Sequence, residues 1–129
     1  MSEIYSNHSG VPSLNLPTND SLFLNSEEME LQDSGEEGFW IKPLLEDDME
    51  GDNATLRTWL MKVDAGAFSP MHAHDDIEQI FVIEGSFYDQ DKIYEPGDYV
   101  IRAPGTVHSA GSENGAIVLL FYSPARGSE

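Results

Sequence analysis

Cysteine is absent from this chain of 129 residues, which excludes disulfides, thiolate metal ligands and thiol redox sensing. Any metal must be held by nitrogen and oxygen. Basic residues are scarce as well: 6 lysines and arginines stand against 24 aspartates and glutamates, a formal net charge of −18. That balance argues against nucleic acid and anionic membrane as partners, because both need a basic surface. No window is apolar for long enough to span a bilayer. The opening residues MSEIYSNHSGVPSLNLPTND have neither a basic start nor an apolar run, so no signal peptide is expected and the expected compartment is the cytoplasm. Also missing are an internal repeat, a Ser-His-Asp pattern, a phosphate loop and a dinucleotide fingerprint.

What is present suits one domain, long enough to bury a core without staples. The acid is uneven. Residues 1–52 carry thirteen acids and one base, Lys42, whereas residues 53–129 carry eleven acids and five bases. Residues 1–38 therefore read as an N-terminal arm with an acidic segment, residues 39–123 as the folded domain and residues 124–129 as a tail. From Phe39 onward, short β-prone runs alternate with Gly and Pro turns, the pattern of an all-β sandwich or barrel. Strands are expected at Phe39–Ile41 (which Pro43 limits to an edge or a strand end), at 55–63, 79–84, 86–88, 92–94, 99–102, 107–110 and 116–122. The run EDDMEGDN reads as an exposed turn. No helix is predicted beyond a turn near 26–32.

Histidine is scarcer still, with four in the chain, and two of them stand in GAFSPMHAHDDIEQIFVIEG, residues 66–85. Successive strand side chains point to opposite faces, so His72 and His74 share one face. Glu78, opening the next strand, can close on the same point. Two imidazoles and a carboxylate aimed at one spot make a metal site. His108, after the turn in GDYVIRAPGTVHSAGS, offers a fourth ligand. Three imidazoles and a carboxylate suit one divalent transition metal (Fe, Zn, Mn, Ni, Cu or Co) and suit Mg or Ca poorly.

Both stretches resemble the paired motifs of the cupin superfamily. The first is Gly66, five residues, His72, one, His74, three, Glu78, six, Gly85; the second carries Gly97, Gly105 and His108. Two positions depart from the pattern: Ala103 stands at the proline position, with Pro104 one place later, and Ser112 at the terminal asparagine position. The stretches FWIKPLL, EQIFVIEGSF, YEPGDYVIRAPGTVHS and SENG are most similar to ChrR-like cupin domains and to small dioxygenases that cleave diketones or dihydroxyacetophenones. The resemblance implies a double-stranded β-helix, a jelly-roll barrel enclosing the metal, assembled as a homodimer. It implies a metal-dependent (Fe) dioxygenase acting on a small organic substrate. A metal-dependent isomerase or lyase, and a non-catalytic metal- or small-molecule-binding module of the ChrR-like type, are the alternatives.

Other polar residues read more plainly. His8 sits in the arm with no expected role. Asp75 and Asp76 are expected in a solvated turn, as are Asp89 and Asp91, and Gln79 should point away from the site. Arg57 and Arg102 are expected in surface ion pairs, with the orienting of an anionic or carbonyl substrate as the alternative. Phe68, Met71, Phe81, Trp59, Tyr88, Tyr99 and Phe121 are expected in the core or on cavity walls.

Overall fold

The computed structural model describes residues 5–7, 16–17, 19, 21–49 and 54–125. His8, residues 50–53 of the acidic run and residues 126–129 of the tail lie outside them. In chain order the elements are β1 (Tyr5–Asn7), β2 (Ser21–Phe23), a single 3-10 turn (Ser26–Glu28), β3 (Gln32–Asp33), β4 (Phe39–Met49), β5 (Ala54–Val63) and β6 (Phe68–His72). There follow β7 (Ile77–Gly85), β8 (Phe87–Tyr88), β9 (Ile93–Tyr94), β10 (Tyr99–Arg102), β11 (His108–Gly111) and β12 (Ala116–Ser123). Strands β1 and β2 pair in parallel; the rest form a six-stranded sheet, β10-β7-β12-β5-β4-β3, and a four-stranded sheet, β6-β11-β8-β9, both antiparallel. Phe87, Tyr94 and Ala110 from the smaller sheet pack with Ile80, Val82, Val118 and Met61 from the larger in one core. This is the jelly roll that the sequence predicts. Among the described residues no helix is long and apolar enough to cross a membrane.

Cross-strand register sorts the inner face of the larger sheet into rows. At one end Ala116, Val63 and Phe39 lie abreast. Next come Val82, Val118, Met61 and Ile41, then Val100, Ile80, Leu120, Trp59 and Pro43. The last row is polar throughout: Arg102, Glu78, Tyr122, Arg57 and Glu46 on β10, β7, β12, β5 and β4. Strand alternation carries this order, since β12 buries every second residue from Ala116 to Tyr122. One end of the barrel is thus a dry core and the other a belt of charge.

Two expectations need correction. β4 runs on through Pro43, so the edge reading of that proline holds, whereas Glu46–Met49 is strand rather than turn. A bulge between Pro43 and Leu45 absorbs the proline. Because β3 covers β4 only at Trp40 and Ile41, Pro43 lies where β4 is the outer strand and its missing N–H interrupts no further ladder. Phe68, Met71, Phe81 and Tyr99 are not core but between 41% and 54% exposed. In β7 the burial of Ile80 and Val82 forces Phe81 and Ile83 outward.

The turn after β7 depends on a missing side chain. Gly85 has φ +75°, and a Cβ there would sit 2.0 Å from the Gly115 carbonyl oxygen and 2.9 Å from Ala116 Cα. Gly97 also has positive φ, +94°, but faces open space. Gly85→Ala is expected to cost about 3 kcal/mol or more, from left-handed strain plus a clash with backbone, and Gly97→Ala only about 1–2 kcal/mol. Urea denaturation of the two variants beside the unsubstituted protein checks the difference.

Candidate metal centre

His72 closes β6 and His108 opens β11, and the two are direct partners in the antiparallel pairing. Their ring centroids are 4.4 Å apart. His74 follows two residues later on the way to β7, its ring 4.9 Å from that of His72 and 5.7 Å from that of His108. The ligand atoms of all three lie within 4.8 Å of one another, a cluster able to hold a metal ion. Glu78, at the start of β7, reaches in from the larger sheet. Its Oε1 is 3.3 Å from His108 Nε2 and its Oε2 is 3.7 Å from His74 Nε2.

Backbone carbonyls set the tautomers. His72 Nδ1 lies 2.7 Å from the Pro70 oxygen and His108 Nδ1 lies 3.2 Å from the Ser109 oxygen. A carbonyl can only accept, so each Nδ1 carries a proton and donates it. In a neutral ring Nε2 is then a lone pair. His108 Nε2 is buried and has no hydrogen-bond partner. It faces the Glu78 carboxylate, another acceptor. Two buried acceptors 3.3 Å apart repel unless a cation or a proton stands between them. Burial, the largest influence, depresses the basicity of His108 and of His74 although the charge of Glu78 works the other way, and so it disfavours the proton. The donor set fits a divalent transition metal.

Glu78 is itself firmly held. Arg102 Nε donates to Oε1 at 3.0 Å and the Tyr122 hydroxyl to Oε2 at 2.9 Å. Arg102 is buried, not a surface residue as expected, and its Nη2 forms a second ion pair with Asp89 Oδ2 at 3.1 Å, without the alignment of a hydrogen bond. Asp89 is likewise more than a turn residue. It is buried, takes the Tyr94 hydroxyl at 2.7 Å on Oδ2, and takes the Asp91 and Lys92 amides on Oδ1. Burial alone would raise the Asp89 carboxyl, but the hydrogen bonds from Tyr94 and the Asp91 amide, with Arg102 and the Lys92 amide, hold it below the usual carboxylate range. Burial and the same Asp89 push the Tyr94 phenol up to about 12. Burial and the charge of Glu78 push Tyr122 up too, keeping it a hydrogen-bond donor.

A cavity of about 220 Å³ opens on the cluster. Its walls combine the three histidines and Glu78 with Trp59, Met61, Ile80, Phe87, Leu120 and Tyr122; Arg57, Glu36 and Asp76 also border it. Among the described residues neither Asp75 nor Asp76 bonds to an imidazole, and Gln79 accepts the Tyr99 hydroxyl outside the site. Ser112, at the departing motif position, is fully buried and locks a turn: it donates to the Ser86 carbonyl at 2.6 Å and accepts the Gly115 amide at 2.8 Å. The sequence reading missed Tyr122, hidden in the apolar run AIVLLFY. Its place as the last inward residue of an alternating strand was the available signal.

Residues 19–126 match the family described as ChrR Cupin-like domain. Among solved structures, an RmlC-like cupin from Shewanella frigidimarina is 30% identical, with 79% of this chain and 89% of that one covered and a TM-score of 0.64. KdgF from a Halomonas species is 27% identical over 79% of this chain and 92% of its own, also with TM-score 0.64. The complex of Rhodobacter sphaeroides SigE with the anti-sigma ChrR contains a chain 22% identical, TM-score 0.61; the match covers 77% of the present chain and 52% of that one, and it shows a shared fold. Among curated proteins there is no match.

Because His74 and His108 are less basic in the folded barrel than in an open chain, the folded state binds fewer protons than the unfolded state just below the ordinary histidine pKa. Their contribution to stability is therefore complete above about pH 6.5 and is lost as pH falls below it. Urea midpoints of chelator-treated protein should drop between about pH 7.5 and 5.5, and the drop should shrink in His108→Gln.

Proposed function

The chain belongs to the ChrR cupin-like family, and from that premise we propose that it is a mononuclear metal enzyme acting on a small organic substrate, an iron-dependent dioxygenase. The metal ligands in this reading are Nε2 of His72, His74 and His108, with Glu78 as the fourth. The observation that carries it is the buried, unpartnered His108 Nε2 facing the Glu78 carboxylate at 3.3 Å. A divalent iron bound there would supply open coordination positions for substrate and oxygen.

The protein's own residues supply the rest. Arg102 and Tyr122 fix the direction of the Glu78 lone pairs, and the carbonyls of Pro70 and Ser109 fix those of the imidazoles. The apolar walls Met61, Ile80, Phe87 and Leu120 exclude water from the reacting centre. The cavity volume admits a substrate of about seven waters' displacement, which selects small molecules. A second reading, a redox-neutral isomerase or lyase, draws on the Tyr122 hydroxyl hydrogen-bonded to Glu78 at the cavity wall, a proton donor and acceptor where a substrate would lie. The homodimer implied by the resemblance finds support in the outer face of β7 and β10, where Phe81, Ile83, Tyr99 and Ile101 are exposed in an otherwise acidic chain.

Elemental analysis of untagged protein, followed by oxygen uptake across diketones, hydroxyacetophenones and quinate-like acids, tests the first reading. Bound iron and substrate-dependent oxygen consumption are expected. Metal-dependent turnover without oxygen uptake selects the redox-neutral reading, metal binding without turnover selects a binding module, and failure to take up any metal sinks both enzyme readings and the metal centre they share. His108→Ala should lower metal affinity by at least about a hundredfold while Asp76→Ala leaves it unchanged, as read by competition with a chromogenic chelator.

A further inference from the structure

Arg57 is the one lysine or arginine among the described residues that border the cavity. It stands beside Tyr122 in the polar row and faces inward with it. Its side chain has only one carboxylate partner among the described residues: Nε lies 3.6 Å from Glu46 Oε2, and both groups are more than a third exposed. Such a pair is weak and leaves the two terminal guanidinium nitrogens available. The guanidinium also lies over the Trp59 ring, 5.4 Å from its centroid, while Trp59 Nε1 donates to the same Glu46 oxygen at 3.0 Å. Ring and carboxylate together place the guanidinium at the edge of the cavity.

We propose that the cavity takes a small organic monoanion, a carboxylate with an apolar body, gripped by Arg57 at the head and directed towards the three imidazoles at the other end. The identity of the far end rests on the metal-centre reading above; the grip on the carboxylate does not. A planar fork with two free N–H groups matches a carboxylate in bidentate fashion. The apolar residues that line the same cavity, Trp59, Met61 and Leu120, suit a hydrocarbon or aromatic body. Glu36 and Asp76 also border the cavity and oppose a second negative charge, which is why a monoanion is favoured over a dicarboxylate. The volume, about 220 Å³, limits the whole ligand to roughly seven waters' displacement.

Paired isosteres test this without knowledge of the natural substrate. Benzoate against benzamide, and 3-methylbutanoate against its amide, would be titrated calorimetrically into the full chain, both metal-loaded and chelator-treated. Each acid should bind at least about tenfold more tightly than its amide, and a dicarboxylate of similar size more weakly than the monoacid. Arg57→Gln should erase the acid-over-amide preference by weakening the acid alone, and Arg57→Lys should keep part of it. The preference should survive removal of metal, so a protein that binds no metal yet prefers acids would sink the metal reading and leave this one standing. Equal affinity for acid and amide, no binding of either acid at millimolar concentration, or an unchanged preference in a folded Arg57→Gln protein would overturn it.

Discussion

A carboxylate taken out of water must be paired or lose its charge, and in this barrel that constraint falls on Glu78. Arg102 answers it from β10 and Tyr122 from β12. Arg102, buried in its turn, needs Asp89 as well, and Asp89 is satisfied by Tyr94 and by two amides of its own turn. A line of compensation thus runs from the barrel mouth to the β8–β9 hairpin. The larger and smaller sheets are joined through it by ions as well as by the apolar core. Removing one member would strand another as a buried charge, a fault that costs about 3–5 kcal/mol.

Against that background the histidine cluster is the unfinished part. Arg102 neutralises Glu78 on one side, but towards His108 its Oε1 faces another acceptor, Nε2, at 3.3 Å. Packing brings the two sheets together there because the rows beneath are apolar and interlock. Attraction from the core therefore holds together groups that would otherwise separate, and a cation bound there would meet its ligands already in place.

Much of this was legible in the sequence. The period-2 alternation of 116–122 and the Gly and Pro punctuation gave the strands, and the spacing of His72, His74, Glu78 and His108 put the site on facing strands. What escaped was non-local. That Arg102 and Tyr122 flank Glu78 follows from the order β10-β7-β12, which no local pattern states. Asp89 looks like any turn aspartate until the arginine thirteen residues on folds back over it. Pro43 shows the same limit: a proline there meant an edge or a strand end, and the choice of edge rests on how short β3 is.

The ordering of the inner face into rows also separates two kinds of change. Substitution in the three apolar rows alters volume and is felt throughout the core. Substitution of Arg57 or Glu46, at the far end of the polar row from Arg102, alters charge beside a half-open mouth and reaches the packing below only through Trp59. If Arg57 grips the ligand as proposed, specificity can be rewritten at one rim of the barrel while foldability is guarded at the other, which would suit this small scaffold to being retuned for new ligands one strand end at a time.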